Sequence, residues 1–356
     1  MSEIDRVLSL ARAEIRALKA YEHAQWRPEL ERLHANESPW PPISSSDGLA
    51  RHYYPEPQPT ALVAAMAAYY GVDADQILLG RGSDEGIDLV TRAFCRAGED
   101  SVIVCPPTFG MYAVAAAIQG ARTLSIPLRE HFQLDVPAIV AALQASCANT
   151  PKLVWLCSPN NPTGNRLEPS DIRQVIEAAR GRSVVIVDEA YAEFDATPSW
   201  IASLAQHPHL IVLRTLSKAH GLAGLRIGAV VAHRALVQLL RKIIPPYALP
   251  CDSARWGTIA MQPPALAVTR ERIDCLRRER ERVRVALSSS PLLTRVWPSE
   301  ANFLLVDAYD GGLVLDRLAA VGLIVRDFRG KSGLGESIRI TIGTPKQNDR
   351  IIRSLS

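Results

Sequence analysis

Residues 153–191 read LVWLCSPNNPTGNRLEPSDIRQVIEAARGRSVVIVDEAY. Two unbroken apolar runs, Leu153-Val154-Trp155-Leu156 and Val184-Val185-Ile186-Val187, flank a stretch at 168–180 with helical character. A strand with one wet face alternates apolar and polar side chains; neither run does. Both faces of each strand must therefore be covered, which is the signature of a parallel sheet between layers of helices. Each run ends in a polar turn, Ser158-Pro159-Asn160-Asn161-Pro162-Thr163-Gly164 after the first and Asp188-Glu189-Ala190-Tyr191 after the second. In open parallel sheets ligands bind at the carboxyl ends of the strands, so these turns are where chemistry is expected.

The pattern recurs on both sides. Ile77-Leu78-Leu79, Val102-Ile103-Val104, Leu210-Ile211-Val212-Leu213 and Ile227-Gly228-Ala229-Val230-Val231 read as buried strands, and 61–70 and 86–95 as helices. Pro245-Pro246 and Pro250 mark a domain edge. Beyond it, 268–288 reads as a helix with Ile273, Leu276, Val283 and Leu287 inward. Its arginines 277, 278, 280, 282 and 284 alternate with Glu279 and Glu281, as on a solvated face rather than a nucleic-acid patch. Residues 302–306 and 338–342 are strand-like with a helix between them, a small α+β unit. At the start, Ile4, Val7, Leu8, Ala11, Ile15 and Leu18 share one helical face over 4–18. A stretch from Pro28 to Pro59, with Pro39, Pro41, Pro42, Pro55 and Pro57, excludes a long helix or a central strand there. The expected division is an arm with part of a small domain at 1–45, a large domain at 46–248 and a small domain at 249–356.

A chain of 356 residues is long enough for about two cores. With 47% hydrophobic and 22% charged residues it has globular composition, and a net charge of +3 is too small to argue for nucleic acid or a membrane surface. No apolar run approaches the roughly 20 residues of a membrane helix. Met1-Ser2-Glu3-Ile4-Asp5 lacks the basic start and apolar stretch of a secretory signal. The six cysteines (95, 105, 147, 157, 251 and 275) form no C-x-x-C pair, so reduced thiols, no metal and a cytoplasmic compartment are expected.

Five strand ends carry candidate groups. Thr215-Leu216-Ser217-Lys218 follows one strand, and Arg226 comes after Gly221 and Gly224. Hydroxyls, a lysine and an arginine on one glycine-rich segment can hold a phosphate and set an amine beside it. Asp188 closes another strand. A carboxylate there can cap a helix, but it can equally keep the ring nitrogen of pyridoxal phosphate protonated. Tyr191 and Asn161 could reach the ring oxygen of such a cofactor. Gly80-Arg81-Gly82-Ser83-Asp84-Glu85-Gly86 precedes a helix whose first N–H groups would receive a phosphate. Its G-x-G-x-x-x-G spacing is one residue longer than the dinucleotide fingerprint, which disfavours a nicotinamide dehydrogenase. Phe109, in Pro106-Pro107-Thr108-Phe109-Gly110, could stack on an aromatic ring.

Taken together, these segments resemble the fold-type I pyridoxal-phosphate aminotransferases over nearly the whole chain. The matching motifs are L-H-A-N-E-S-P (33–39), Y-P-E (54–56), R-G-S-D-E-G (81–86), C-P-P-T-F-G-M-Y (105–112), C-S-P-N-N-P-T-G (157–164), D-E-A-Y (188–191), R-T-L-S-K-A (214–219), G-L-A-G-L-R (221–226), V-R-D (325–327) and I-R-I-T-I-G-T (338–344). The resemblance implies an α/β fold with a large domain on a mostly parallel seven-stranded sheet, helices on both faces, and a small α+β domain. It implies Lys218 as the covalent attachment and proton carrier, Asp188 at the ring nitrogen, Asn161 and Tyr191 at the ring oxygen, and Phe109 on the ring face. Ser83, Asp84, Thr215, Ser217 and Arg226 would hold the cofactor phosphate. Tyr54 would reach the cofactor of a second subunit in a homodimer with shared sites, and Tyr21 of the partner's arm would close over the substrate. Asn36, Asn161, Arg326 and Arg339 complete the implied substrate contacts. Phe109 stands where relatives often carry tyrosine, and His34 where they often carry asparagine.

Paired guanidiniums can grip a phosphate or a carboxylate. Within the family this points to transfer of the amine of histidinol phosphate to 2-oxoglutarate, giving imidazole acetol phosphate and glutamate in histidine biosynthesis. A threonine-phosphate decarboxylase or an aromatic amino-acid aminotransferase on the same scaffold are the alternatives.

Overall fold

A computed structural model describes residues 2–23, 26–27, 29–41, 47–145 and 150–356; Pro28 and Pro42 of the proline-rich stretch, and Cys147, lie outside the described residues. Helices α1 (Glu3–Leu10), α2 (Ala13–Ala17) and α3 (Thr60–Tyr70) precede the first strand, β1 (Ile77–Arg81). Then α4 (Ser83–Phe94), β2 (Ser101–Val104), α5 (Met111–Gln119), β3 (Arg122–Ser125), α6 (Val136–Gln144), β4 (Leu153–Cys157), α7 (Pro169–Ala179) and β5 (Val184–Asp188) alternate. β6 (Leu210–Thr215), β7 (Ile227–Ala232) and α8 (Arg234–Arg241) complete this part.

These seven strands form one sheet in the order β1-β7-β6-β5-β4-β2-β3. β2 through β6 run parallel, while β7 is antiparallel to both β6 and β1. The reversal has a steric origin. A parallel return needs a crossover of a dozen or more residues, and only residues 216–226 separate β6 from β7. The segment that carries Lys218 is thus a tight return, not a crossover.

The central strands are buried at every position, with successive side chains facing opposite layers. Leu79, Val154, Leu156, Val185, Val187 and Val212 face Met66 of α3, Ile139 of α6 and Ile172 of α7. Leu78, Trp155, Ile186, Leu213 and Val230 face Ile87 and Phe94 of α4, Ala116 of α5 and Leu236 of α8. Each fully buried aliphatic side chain contributes about 1.5–3 kcal/mol. Val7 and Ala11 lie in the second of these cores, so the start of the chain is anchored on the large sheet.

After the proline edge come α9 (Cys251–Ala260), α10 (Pro263–Leu287), β8 (Leu293–Val296), β9 (Phe303–Ala308), α11 (Gly311–Ala320), β10 (Arg326–Asp327), β11 (Ser337–Thr341) and α12 (Pro345–Leu355). The four strands form an antiparallel sheet, β10-β11-β9-β8. Leu304, Val306, Ile338 and Ile340 pack it on Val283 and Leu287 of α10, Val314 and Leu318 of α11, and Ile351 of α12. A smaller cluster of Tyr191, Phe194, Ile273 and Phe303 joins the two sheets.

Two expectations are corrected. The helical face of residues 4–18 is split between α1 and α2 at Ala11-Arg12. Arg12 N–H donates to the Ala93 carbonyl (3.0 Å) and its guanidinium to the Arg92 carbonyl (3.1 Å). The open carbonyls at the end of α4 thus outcompete one more turn of helix. The helix expected at 86–95 begins earlier, at Ser83.

Candidate active site

Strand register brings the polar strand ends to one edge. Cys157 pairs with Asp188 across β4 and β5, and Asp188 with Leu213 across β5 and β6. Thr215 then pairs with Gly228, and Gly228 with Gly80. The turn after β4, the end of β5, the return after β6 and the start of α4 therefore open on the same side of the sheet.

Asp188 is 2% exposed. Ala190 N–H donates to Oδ1 (3.2 Å) and Tyr112 Oη to Oδ2 (2.8 Å). Burial pushes its carboxyl up to about 6, against those two donors. A carboxylate placed so deeply, with only neutral donors bonded to it among the described residues, is matched to a cation that arrives with a ligand. Tyr191 is buried three residues on. Its ring lies 5.6 Å from Lys218 Nζ and edge-on to Phe303 at 5.2 Å. Burial raises the Tyr191 phenol above its ordinary range.

Lys218 as a residue is open to solvent, yet its surroundings desolvate the ammonium. That desolvation and the Arg339 guanidinium pull its pKa below the usual lysine value, against the opposing pull of Asp84. The return that carries it is stitched by hydroxyls. Thr215 Oγ1 lies 2.9 Å from Ser217 Oγ and 3.1 Å from the Ile227 carbonyl, and accepts from Ser217 N–H (3.1 Å). Arg226 adopts a left-handed conformation (φ 51°) that turns its side chain back over this return. Its guanidinium reaches Ser217 Oγ (3.4 Å) and Asp84 Oδ2 (2.9 Å).

Ser83 and Asp84 form the first turn of α4, whose N–H groups have no intrahelical acceptor. Two glycines let that turn approach. A Cβ on Gly82 would sit 2.5 Å from Arg226 Nη2, and one on Gly228 would sit 2.3 Å from the Gly82 carbonyl carbon. The result is a cradle of N–H groups, hydroxyls and one guanidinium suited to an anion.

Asn161 is buried in the turn after β4 and accepts from Arg339 Nη1. Arg339 lies over the rings of Phe303 (5.1 Å) and Phe328 (5.4 Å), and its Nε is buried without a hydrogen-bond partner among the described residues. Arg326 is its register partner across β10 and β11. Phe109 is half-buried, edge-on to Tyr112 at 5.7 Å.

Tyr54 and Tyr21 gather elsewhere, around Tyr247. Tyr54 is 49% exposed and stacks on Tyr247 at 4.6 Å. Tyr21 is 66% exposed and meets His23, which in turn meets Tyr247. Asn36 is exposed, with φ at 55°.

Sequence reasoning missed three groups here. Tyr112 holds Asp188. Asn160 donates to the Pro107 carbonyl (2.8 Å) and accepts from Thr108 Oγ1 (2.7 Å), tying the Phe109 loop to the Asn161 turn. Arg214 bridges Glu189 (2.7 Å) and Glu193 (2.6 Å), locking the end of β6 to the segment after β5. Burial pushes the Glu193 carboxyl up, but Arg214 and His220 outweigh it and hold it at about 2. All three stand inside the matching motifs, Tyr112 closing C-P-P-T-F-G-M-Y, Asn160 in C-S-P-N-N-P-T-G and Arg214 opening R-T-L-S-K-A, but none was given a role.

The family described as aminotransferase class I and II matches residues 5–355. A histidinol-phosphate aminotransferase of Xylella fastidiosa is 45% identical over 98% of this chain and 96% of its own length. A crystal structure of histidinol-phosphate aminotransferase from Sinorhizobium meliloti, in complex with pyridoxal-5'-phosphate, superposes with a TM-score of 0.75 at 27% identity, covering 85% of this chain and 82% of that one. The enzyme of that name from Clostridium acetobutylicum superposes at 0.77 and 22% identity over 85% of this chain and 89% of its own, a likeness of fold.

Proposed function

Since the chain belongs to the class I and II aminotransferases, we infer that it transfers the amine of histidinol phosphate to 2-oxoglutarate, yielding imidazole acetol phosphate and glutamate, with pyridoxal phosphate as cofactor. This is a step of histidine biosynthesis. Relatives of that activity match it at 44–45% identity over essentially its whole length.

The residues present fit the cofactor. The glycine-lined cradle at the start of α4 suits a phosphate, the enclosed Asp188 carboxylate suits a pyridinium, and an amine with lowered pKa stands on the next strand end. When bound, pyridoxal phosphate supplies a ring that withdraws the electron pair of a broken C–H bond. In this reading Ser83, Asp84, Thr215, Ser217 and Arg226 bind the phosphate. Asp188 keeps the ring nitrogen protonated, Asn161 and Tyr191 donate to the ring oxygen, and Phe109 covers one face. Lys218 Nζ tethers the cofactor. Once displaced by the substrate amine, it removes the proton from the carbon bearing that amine and later returns it. Its lowered pKa favours the neutral amine this task needs.

Arg339 and Arg326 serve both half-reactions, gripping the phosphate of one substrate and a carboxylate of the other. Asn36 is proposed as a further substrate contact on the family resemblance alone. The observation that carries the reading is Asp188, fully enclosed at the end of β5, one strand away from Lys218.

We place the reaction in the cytoplasm of the producing cell; among the described residues no helix is long and apolar enough to cross a membrane. We also propose the division at 1–45, 46–248 and 249–356, and a homodimer in which Tyr54 and Tyr21 reach the neighbouring site. Supporting the dimer, Tyr21, Trp26, Trp40 and Tyr54 are 41–76% exposed on a single chain.

The deciding experiment offers the purified enzyme histidinol phosphate, threonine phosphate and phenylalanine, each with 2-oxoglutarate, and scores keto product against carbon dioxide. Preferred turnover of histidinol phosphate to a ketone is expected. Carbon dioxide release from threonine phosphate, or equal use of phenylalanine, would replace this reading.

A further inference from the structure

Asp188 holds two hydrogen bonds of unlike kind. The Ala190 N–H bond to Oδ1 is a backbone bond that survives most side-chain changes. The bond to Oδ2 depends on one hydroxyl, that of Tyr112, at 2.8 Å. We propose that Tyr112 is a positioning residue. Through that hydroxyl it keeps the Asp188 carboxylate ionised and aimed, so that a proton shared with the cofactor's ring nitrogen stays on nitrogen. The proposal rests on the role given to Asp188 above.

The phenol is built into place. Tyr112 is the second residue of α5 and fully buried. Its ring lies parallel to Trp155 of β4, with centroids 5.1 Å apart and planes 6° from parallel. Phe109 meets the same ring edge-on. A ring clamped between these two cannot swing its hydroxyl to solvent, and a buried phenol needs an acceptor. Asp188, 76 residues away in sequence, is that acceptor.

The surroundings leave this task to one donor. Asp84 of α4 and Glu189 next in the chain oppose ionisation of Asp188, while Lys218 favours it from the return after β6. Cys157 at the end of β4 and Tyr191 stand against the same group as neutral side chains whose own ionisation is suppressed by burial. Tyr112 is the one side chain among the described residues that donates a hydrogen bond to the carboxylate. A hydrogen bond to the charged form favours that form. A carboxyl and a pyridine nitrogen compete for one proton. Without the phenol the carboxyl becomes the better base and keeps the proton, and a neutral ring withdraws electrons less strongly. Other buried charges near the site have no such free choice, Glu85 being paired with Arg81 and Arg214 with Glu189 and Glu193.

The test compares wild type with Tyr112→Phe, which keeps the ring stack and removes one oxygen. In the cofactor-free protein, infrared difference titration against Asp188→Asn reports the Asp188 carboxyl directly. It should lose its proton near pH 6 in wild type, and the Phe variant should hold that proton about tenfold more tightly or more, one pH unit being tenfold. In the loaded enzyme kcat should fall about twofold at pH 7, where the variant's carboxyl is about half protonated, and about tenfold at pH 5, following the loss of the ionised carboxylate, while KM for histidinol phosphate stays within about twofold. Incorporating 3-fluorotyrosine at 112, a stronger donor, should move the carboxyl titration the opposite way. It also decides the matter should the Phe variant fail to fold. A titration and kcat unchanged in Tyr112→Phe, or a fluorotyrosine shift in the same direction as the Phe shift, would overturn the role of Tyr112. Normal turnover by Asp188→Asn would instead overturn the underlying reading of Asp188.

Discussion

A carboxyl group held up to about 6 by enclosure is a debt carried by the folded state. The unfolded chain releases this proton near 3.8, the folded protein only near 6, so between those values the native state binds more protons. Stability of the cofactor-free protein therefore falls as pH rises through that window and levels off above it. Asp188→Asn removes the effect. The variant should be more stable than wild type at pH 8, by up to roughly 3 kcal/mol from two tenfold steps, and no more stable at pH 4. Urea melts at the two pH values check this, and turnover should be lost in parallel by several kcal/mol of transition-state stabilisation. Lys218→Ala should abolish turnover without lowering the melting temperature, because the ammonium it removes is partly desolvated in the folded protein. Retained activity would remove it from the mechanism. Both residues were legible in the sequence because each ends or follows an unbroken apolar run. The roles of Tyr112 and Asn160 were not, since their partners are distant in sequence and only the packed fold brings them together.

At the level of elements, the approach of α4 to the β6–β7 return depends on backbone without side chains. A Cβ on Gly228 would lie 2.5 Å from Ser83 N as well as 2.3 Å from Gly82. Neither contact is with a flexible side chain, so Gly228→Ala must push the first turn of α4 away. Cofactor affinity should fall about tenfold or more, with a stability loss of about 1–3 kcal/mol from overpacking. Gly224→Ala, on the same return with nothing within 4 Å, should change neither. Cofactor release followed by fluorescence separates the two. The continuous apolar strands were readable, but β3 and β10 were not. β3 is an exposed edge strand, Arg122–Ser125, and β10 is two residues long, so neither shows a buried run. The break between α1 and α2 was hidden for the opposite reason. The helical periodicity continues through Arg12, and a tertiary bond to α4 ends the helix.

For the whole molecule, the joint between the two sheets turns on one arginine of α10. Arg277 donates to the carbonyls of Glu193 (3.0 Å), Phe194 (3.0 Å) and Asp195 (2.7 Å), capping the segment that begins with Asp188. The four-stranded sheet carries Arg339, so the joint sets the distance between the proposed substrate grip and Lys218. Arg277→Ala should raise KM for both substrates several-fold and lower kcat less. A change confined to one substrate would count against this coupling. The proposed dimer makes its own forecast. Lys218→Ala and Tyr54→Ala subunits, each impaired alone, should regain activity when refolded together, because one site of each hybrid is intact. No regain would place Tyr54 outside its neighbour's site.

One feature of the small sheet reaches into how the enzyme is handled at the bench. Arg326 and Arg339 stand opposite each other on adjacent strands, and like charges so placed repel. A small dianion between them relieves that repulsion, whichever molecule brings it. Inorganic phosphate and sulfate are then expected to bind there as ligands. Salts of either should lift the melting temperature and compete with amine donor and oxo acceptor alike, so rates measured in phosphate and in a zwitterionic buffer will describe two differently loaded proteins.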